Sequence, residues 1–341
     1  MNRVNIYLFS SFLSTFASLF ATLFLIVSII FFIQIVRITS YIDINFVELV
    51  KLYLFTLPQI LLFTTPISFF VSLAMSFFRL SKENESIVIF TLGYSPKYIA
   101  KFFLQISALI SIILLFIALV VMPTAFNLHN NFVNYKKTKL SLNLKPSEFG
   151  QRFGSWMIFI DKQNTDKSLS KYENIVLYNN SDINERFITA SSGDITNEDT
   201  KLNLILKDGY IYDIKENKWN IAKYDSLTIR SNIQDKFGEN FSIIEYWSKA
   251  SSDPKVARNL IIYTLIALFP LASTLFALSF GIVTYRYEKG IVYIGVFAVL
   301  AAYFTAILLL SKYPIYGIVA IFTLTMLSSL ITFKLKVMQK Y

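Results

Sequence analysis

Residue types that usually carry chemistry are scarce in this chain. None of its 341 residues is a cysteine, which excludes disulfides, thiolate metal sites and cysteine nucleophiles. The one histidine, His129 in NLHNN, cannot make the usual zinc site alone and reads as a surface or interface residue. No G-x-x-x-x-G-K-[ST] phosphate loop occurs, and no Ser/His/Asp or metal constellation stands in a plausible frame. An enzymatic reading has nothing to carry it, and no catalytic, cofactor-binding or metal residue is expected. What remains is a pair of carboxylates, Glu83 and Glu85, in RLSKENESIVIFTLGYSP at residues 79–96, and Arg37 at the end of a long apolar run.

These groups are positioned by unusually greasy elements. The chain is 55% hydrophobic and 16% charged, with a mean hydropathy of +0.53. Soluble domains carry about a quarter charged residues. A bilayer core of about 30 Å takes about 20 apolar residues in helix. Charge-free intervals can hold six such spans, at residues 12–36, 53–78, 102–122, 260–285, 291–311 and 314–333. The first is too long for a signal-peptide core and should stay as an anchor.

The net charge of +10 is unevenly placed. Residues 124–257 hold 18 Lys/Arg and 17 Asp/Glu, so most of the positive excess flanks the spans. A nucleic-acid protein would carry it as a basic patch on its soluble part, so no nucleic-acid partner is expected. With the N-terminus inside, the inner flanks receive Arg3, Arg79, Lys82, Lys97, Lys101, Arg286, Lys289, Lys334, Lys336 and Lys340. The short outer loops receive only Arg37, Lys51 and Lys312. That bias puts both termini in the cytoplasm and the insert after the third span outside.

The insert changes character. SWMIFID, ENIVLYN, ERFITA, KLNLILKDG, YIYDI, KWNIAKY and SLTIRS are short β-prone runs separated by turn-rich stretches. Such spacing points to an antiparallel sandwich or roll. A sheet that rolls up would leave an apolar interior able to hold something lipid-like; the pattern alone favours a filled sandwich core. The expected class is thus an α+β membrane protein: spans 1–3 in residues 1–123, a β domain in 124–257 and spans 4–6 in 258–341.

The carboxylates belong to a short helix between the second and third spans, at about residues 81–93. Asn84 or Ser81 could begin it, Gly93 would end it in a left-handed cap, and Pro96 prevents its resumption. Ile87, Val88, Ile89, Phe90 and Leu92 cover most of its circumference, whereas a surface helix shows a polar face. It must therefore press against the membrane interface, the spans or another protein. Glu83 and Glu85 near its start are favourable with the helix dipole, which accounts for one of them.

Taken together, the chain resembles the lipopolysaccharide-transport permeases, the paired membrane subunits of an ABC exporter. LPQILLFTTPISFFVSLAMSFFRLSKENESIVIFTLGYSP is similar to the family's second span and coupling helix. LKPSEFG followed by MIFID is similar to the family's entry into its periplasmic β-jellyroll, and ITASSGDI followed by LILKDGYIY resembles the repeat of lipopolysaccharide-bridge domains. The resemblance implies a second homologous permease, a dimeric cytoplasmic ABC ATPase that carries the ATP and magnesium, and a single-span periplasmic bridge component. It further implies a bacterial inner-membrane location and lipopolysaccharide as cargo. No cofactor is implied in this chain. The coupling positions would be Glu85 first, then Glu83, Ile89, Leu92 and Gly93. FFIQIVRI resembles the F-type rather than the G-type subunit and makes Arg37 a candidate contact for lipid phosphate; an interfacial anchor is its other reading. YRYEKG would be a second inner contact. A membrane-anchored scaffold or binding protein, or a non-ABC lipid transporter, are the rival readings. One span would suffice for an anchor, and no charge sits at mid-depth for an ion-coupled transporter.

Overall fold

The computed structural model describes residues 3–39, 44–142, 151–153, 156–164, 172–181, 184–198, 201–215, 218–231, 242–282, 291–311 and 314–339. YRYEKG and Lys312 lie outside them. The chain divides into two compact units, one of Met1–Thr39, Ile44–His129 and Phe241–Tyr341, the other built on Asn130–Asn240.

Among the described residues, six helical segments are long and apolar enough to cross a membrane. They comprise α1 (Arg3–Thr39), α2 (Phe46–Lys82), α4 (Pro96–Phe116) continued by α5 (Met122–Leu142), α7 (Pro254–Gly281), α8 (Ile291–Leu310) and α9 (Pro314–Phe333). Two shorter helices, α3 (Glu85–Thr91) and α6 (Ile243–Ser248), lie between them. Their starts follow from local chemistry. Asn45 and Glu48 form a capping box on α2. Ser95 and Asp253 cap α4 and α7, each followed by a proline at the first helical position, where a missing N–H costs nothing. The helical core sits on α2 and α7: 67% and 61% of their most apolar windows are buried, against 6% for α1. Gly281 allows their close approach, since a Cβ there would lie 2.5 Å from Phe77 Cβ and 2.8 Å from the Ala74 carbonyl.

The third span departs from its expected end at residue 122. The helix runs on through Pro123, because a π turn at Ile117–Val121 absorbs the proline. Pro123 has no N–H to offer the Leu119 carbonyl. The Trp247 indole N–H of α6 donates to that carbonyl instead, at 2.8 Å. Inside lipid an orphaned carbonyl is costly, so this bond is structural. Next to Pro270 in α7, a side chain enters the backbone ladder: the Leu271 N–H donates to Ser111 Oγ at 3.3 Å.

The β unit is one antiparallel sheet of six strands in sequential order: β1 (Gln151–Phe153), β2 (Trp156–Gln163), β3 (Tyr172–Ser181), β4 (Asn184–Glu198), β5 (Lys201–Lys215) and β6 (Lys218–Ser231). Several expected short runs are fused. KLNLILKDG and YIYDI form one strand, because Asp208 at φ +49° bends it without ending the ladder. Gly209 follows where a Cβ would fall 1.8 Å from the Thr189 carbonyl. Register aligns Ile158, Leu177 and Ile188, and beside them Ile160, Ile175 and Ala190, on one apolar face.

Candidate functional site

The short helix α3 is shaped by its two ends. Gly93 at φ +85° takes the left-handed position after the Leu92 cap, and the N–H groups of Tyr94 and Gly93 reach the Ile89 and Phe90 carbonyls at 3.2 and 3.0 Å. This is a Schellman closure. At the other end Asn84 adopts φ +61°, a conformation asparagine tolerates better than most residues. Ser81 belongs to α2, which extends to Lys82, so α3 is shorter than the expected 81–93.

The helix is not apolar to the same end all round. Ser86 is buried and donates to Ser81 Oγ at 3.2 Å, and Ser81 donates to the Gly281 carbonyl at 2.9 Å. Ile89 and Phe90 pack against the helical core. Val88 and Leu92, one turn apart on one face, are 55% and 79% exposed. Of the expected site residues, Glu83 is exposed at the C-terminal cap of α2, and Gly93 is exposed at the end of α3. Glu85 lies in the first turn of α3, half-buried, and its Oε2 accepts from the Tyr7 hydroxyl of α1. The structure thus gathers Glu83, Glu85, Ile89, Leu92 and Gly93 around one helix. Arg37 stands apart, exposed in the last turn of α1.

Val88 was read only as one of the apolar residues around the helix, because a helix apolar all round gives no stripe to mark its outward face. Tyr7 and Asn5 escaped the sequence reading. Tyr7 meets Glu85 and Asn5 meets Tyr94 across 78 and 89 residues of chain, a separation at which local sequence carries no signal.

The β unit contains a second candidate region. A cavity of about 450 Å³ opens on the apolar face, lined by Trp156, Ile188, Ile211, Leu227 and Ile229, with Arg186 and Asp213 at its polar side. The latter two are paired at 3.2 Å. Buried side chains of β2 to β5, Leu204 and Leu206 included, fill part of this face, and the cavity opens beside them.

No curated protein matches the chain. The family described as "Lipopolysaccharide export system permease LptF/LptG" matches residues 6–335, which takes in the β insert and all six long helical segments. It covers both subunit types and so does not choose between F and G. With six apolar helices flanking an antiparallel sheet and a match over nearly its whole length, the chain belongs to the lipopolysaccharide export permease family LptF/LptG, a multi-pass transport subunit of the inner membrane.

Proposed function

We propose that this chain is one of two homologous permeases that extract lipopolysaccharide from the inner membrane and pass it toward a single-span periplasmic bridge component. The work is supplied by a separate dimeric cytoplasmic ATPase seated on α3. The observation that carries this reading is the outward pair Val88 and Leu92 on a short helix closed by Gly93, with Glu85 in its first turn and Glu83 just before it at the end of α2. Apolar side chains left this exposed on a tethered helix mark a protein contact, and carboxylates beside them favour a cationic partner surface. Both termini and α3 lie in the cytoplasm in this reading, with the β unit in the periplasm. Drawing acyl chains from a bilayer into water costs about 0.8 kcal/mol per methylene. The cavity of the β unit, apolar except at Arg186, Asp213 and Asn220, offers a partial shelter. Arg37 contacts the lipid phosphates.

Purification of the tagged full chain in mild detergent should recover a second permease, an ATPase and bound lipopolysaccharide. Glu85→Arg, or a proline introduced within 86–92, should abolish ATPase recovery while membrane insertion stays intact. Recovery of the ATPase at the wild-type level by both variants would remove α3 from the coupling role.

A further inference from the structure

The inner end of α1 is fastened to α3 on both sides. Tyr7 Oη donates to Glu85 Oε2 in the first turn of α3, and Tyr94 Oη, just beyond its C-terminal cap, donates to Asn5 Oδ1. One turn along α1, Ser11 shares a hydrogen bond with Ser76 at 3.0 Å and accepts from Arg79 Nη2 at 2.8 Å, both on α2. Leu8 and Phe12 fill the same region at 1% and 2% exposure.

Beyond Phe12, Phe16 packs against the helical core, Ser28 meets Tyr53 at 2.7 Å and Ile35 is buried. Its 37 residues make a rod of about 55 Å at the helical rise. The other ties of α3 run through Ser86 and Ser81 to α2 and α7, the two helices most enclosed by protein. Those helices are the least free to respond to a pull on α3. α1, packed along α2 but only 6% buried over its most apolar stretch, is less enclosed than either.

We propose that Tyr7 and Asn5 are positioning residues that carry displacement of α3 into α1. The proposal rests on the reading of α3 as the ATPase contact. An ionised carboxylate accepts at several lone-pair sites, so the Tyr7 hydroxyl leaves Glu85 able to meet a cationic partner at the same time. One carboxylate then joins the external contact to the first span.

The test uses the complete exporter in proteoliposomes with lipopolysaccharide as cargo, reading ATPase recovery, ATP hydrolysis and lipid released per ATP. Tyr7→Phe combined with Asn5→Leu should keep ATPase recovery and hydrolysis at wild-type levels. Lipid released per ATP should fall at least about tenfold, since the variant deletes both bonds, the charge-assisted one to Glu85 and the neutral one from Tyr94. Tyr7→Phe alone is the milder variant, judged by the same ratio, should the double variant fail to insert. Because the chain has no cysteine, Asn5→Cys with Tyr94→Cys can be bridged by a short bis-maleimide without background, and the bridged complex should export normally. A wild-type lipid yield per ATP in the hydroxyl-deleted variant, loss of ATPase recovery in it, or arrest of export by the bridge would each overturn the proposal. A wild-type complex that recruits no ATPase would instead overturn the reading of α3.

Discussion

A side chain added at Gly93 meets nothing within 4 Å, yet the backbone there lies at φ +85°. Gly93→Ala should therefore cost about 1 kcal/mol through conformation alone, read as faster amide exchange confined to α3 and its cap. Gly281 presents the opposite case. Its backbone is ordinary helix, but a Cβ would strike Phe77 and the Ala74 carbonyl of α2. Gly281→Val should lower the melting temperature of the whole chain in detergent, by the about 1–3 kcal/mol typical of overpacking. In the β unit, burial pushes the Tyr224 phenol up to about 12, and its hydroxyl donates to the Thr189 carbonyl at 2.8 Å. Its folded pKa is raised, so its contribution is complete below pH 10 and is lost as pH rises toward about 12. Tyr224→Phe should flatten that alkaline loss in a pH series of β-unit melts. The cap at Gly93 was legible in the sequence, since a glycine with a proline three residues on marks a helix end. The Tyr7 contact to Glu85 was not, because only the packing of α1 on α2 brings the two together.

Elements follow the same division. Long charge-free runs specify helices whatever their neighbours, so the number of spans was readable from charge spacing and length. Their ends were not. Pro123 reads as a terminator, but the π turn at Ile117–Val121 lets the helix pass it. That solution depends on Trp247, far along the chain, filling the carbonyl that the proline leaves open. Trp247→Phe keeps the ring and removes the donor. It should destabilise the helical unit by about 1–3 kcal/mol, the cost of a buried unpaired carbonyl. Thermal unfolding in detergent should show the loss, and Trp247→His, which retains a ring N–H, should recover part of it. In the β unit, alternation located the strands but not their continuity, since Asp208 and Gly209 look like a turn and act as a bend within β5.

For the whole molecule, composition already separated a membrane half from a β insert. Whether the insert is filled or open is decided by side-chain volumes across paired strands, a quantity no single run displays. The cavity bordered by Trp156, Ile188, Ile211, Leu227 and Ile229 makes a spatially resolved expectation possible. Photo-crosslinkers at Ile211 and Ile229 should capture lipopolysaccharide only when ATP is supplied. Those at Met157 or Val176, which are among the exposed residues of β2 and β3, should capture none. Adducts of equal yield with and without ATP would mark the cavity as a passive gap in the packing.

The bond between Trp247 and Leu119 also sets an order of events in synthesis. Its two ends are 128 residues apart, a stretch that a ribosome takes on the order of ten seconds to make. Throughout that interval the third crossing waits with its proline defect unmended. The bundle is completed only after the β unit has been made, so a residue made after it repairs a helix made before it.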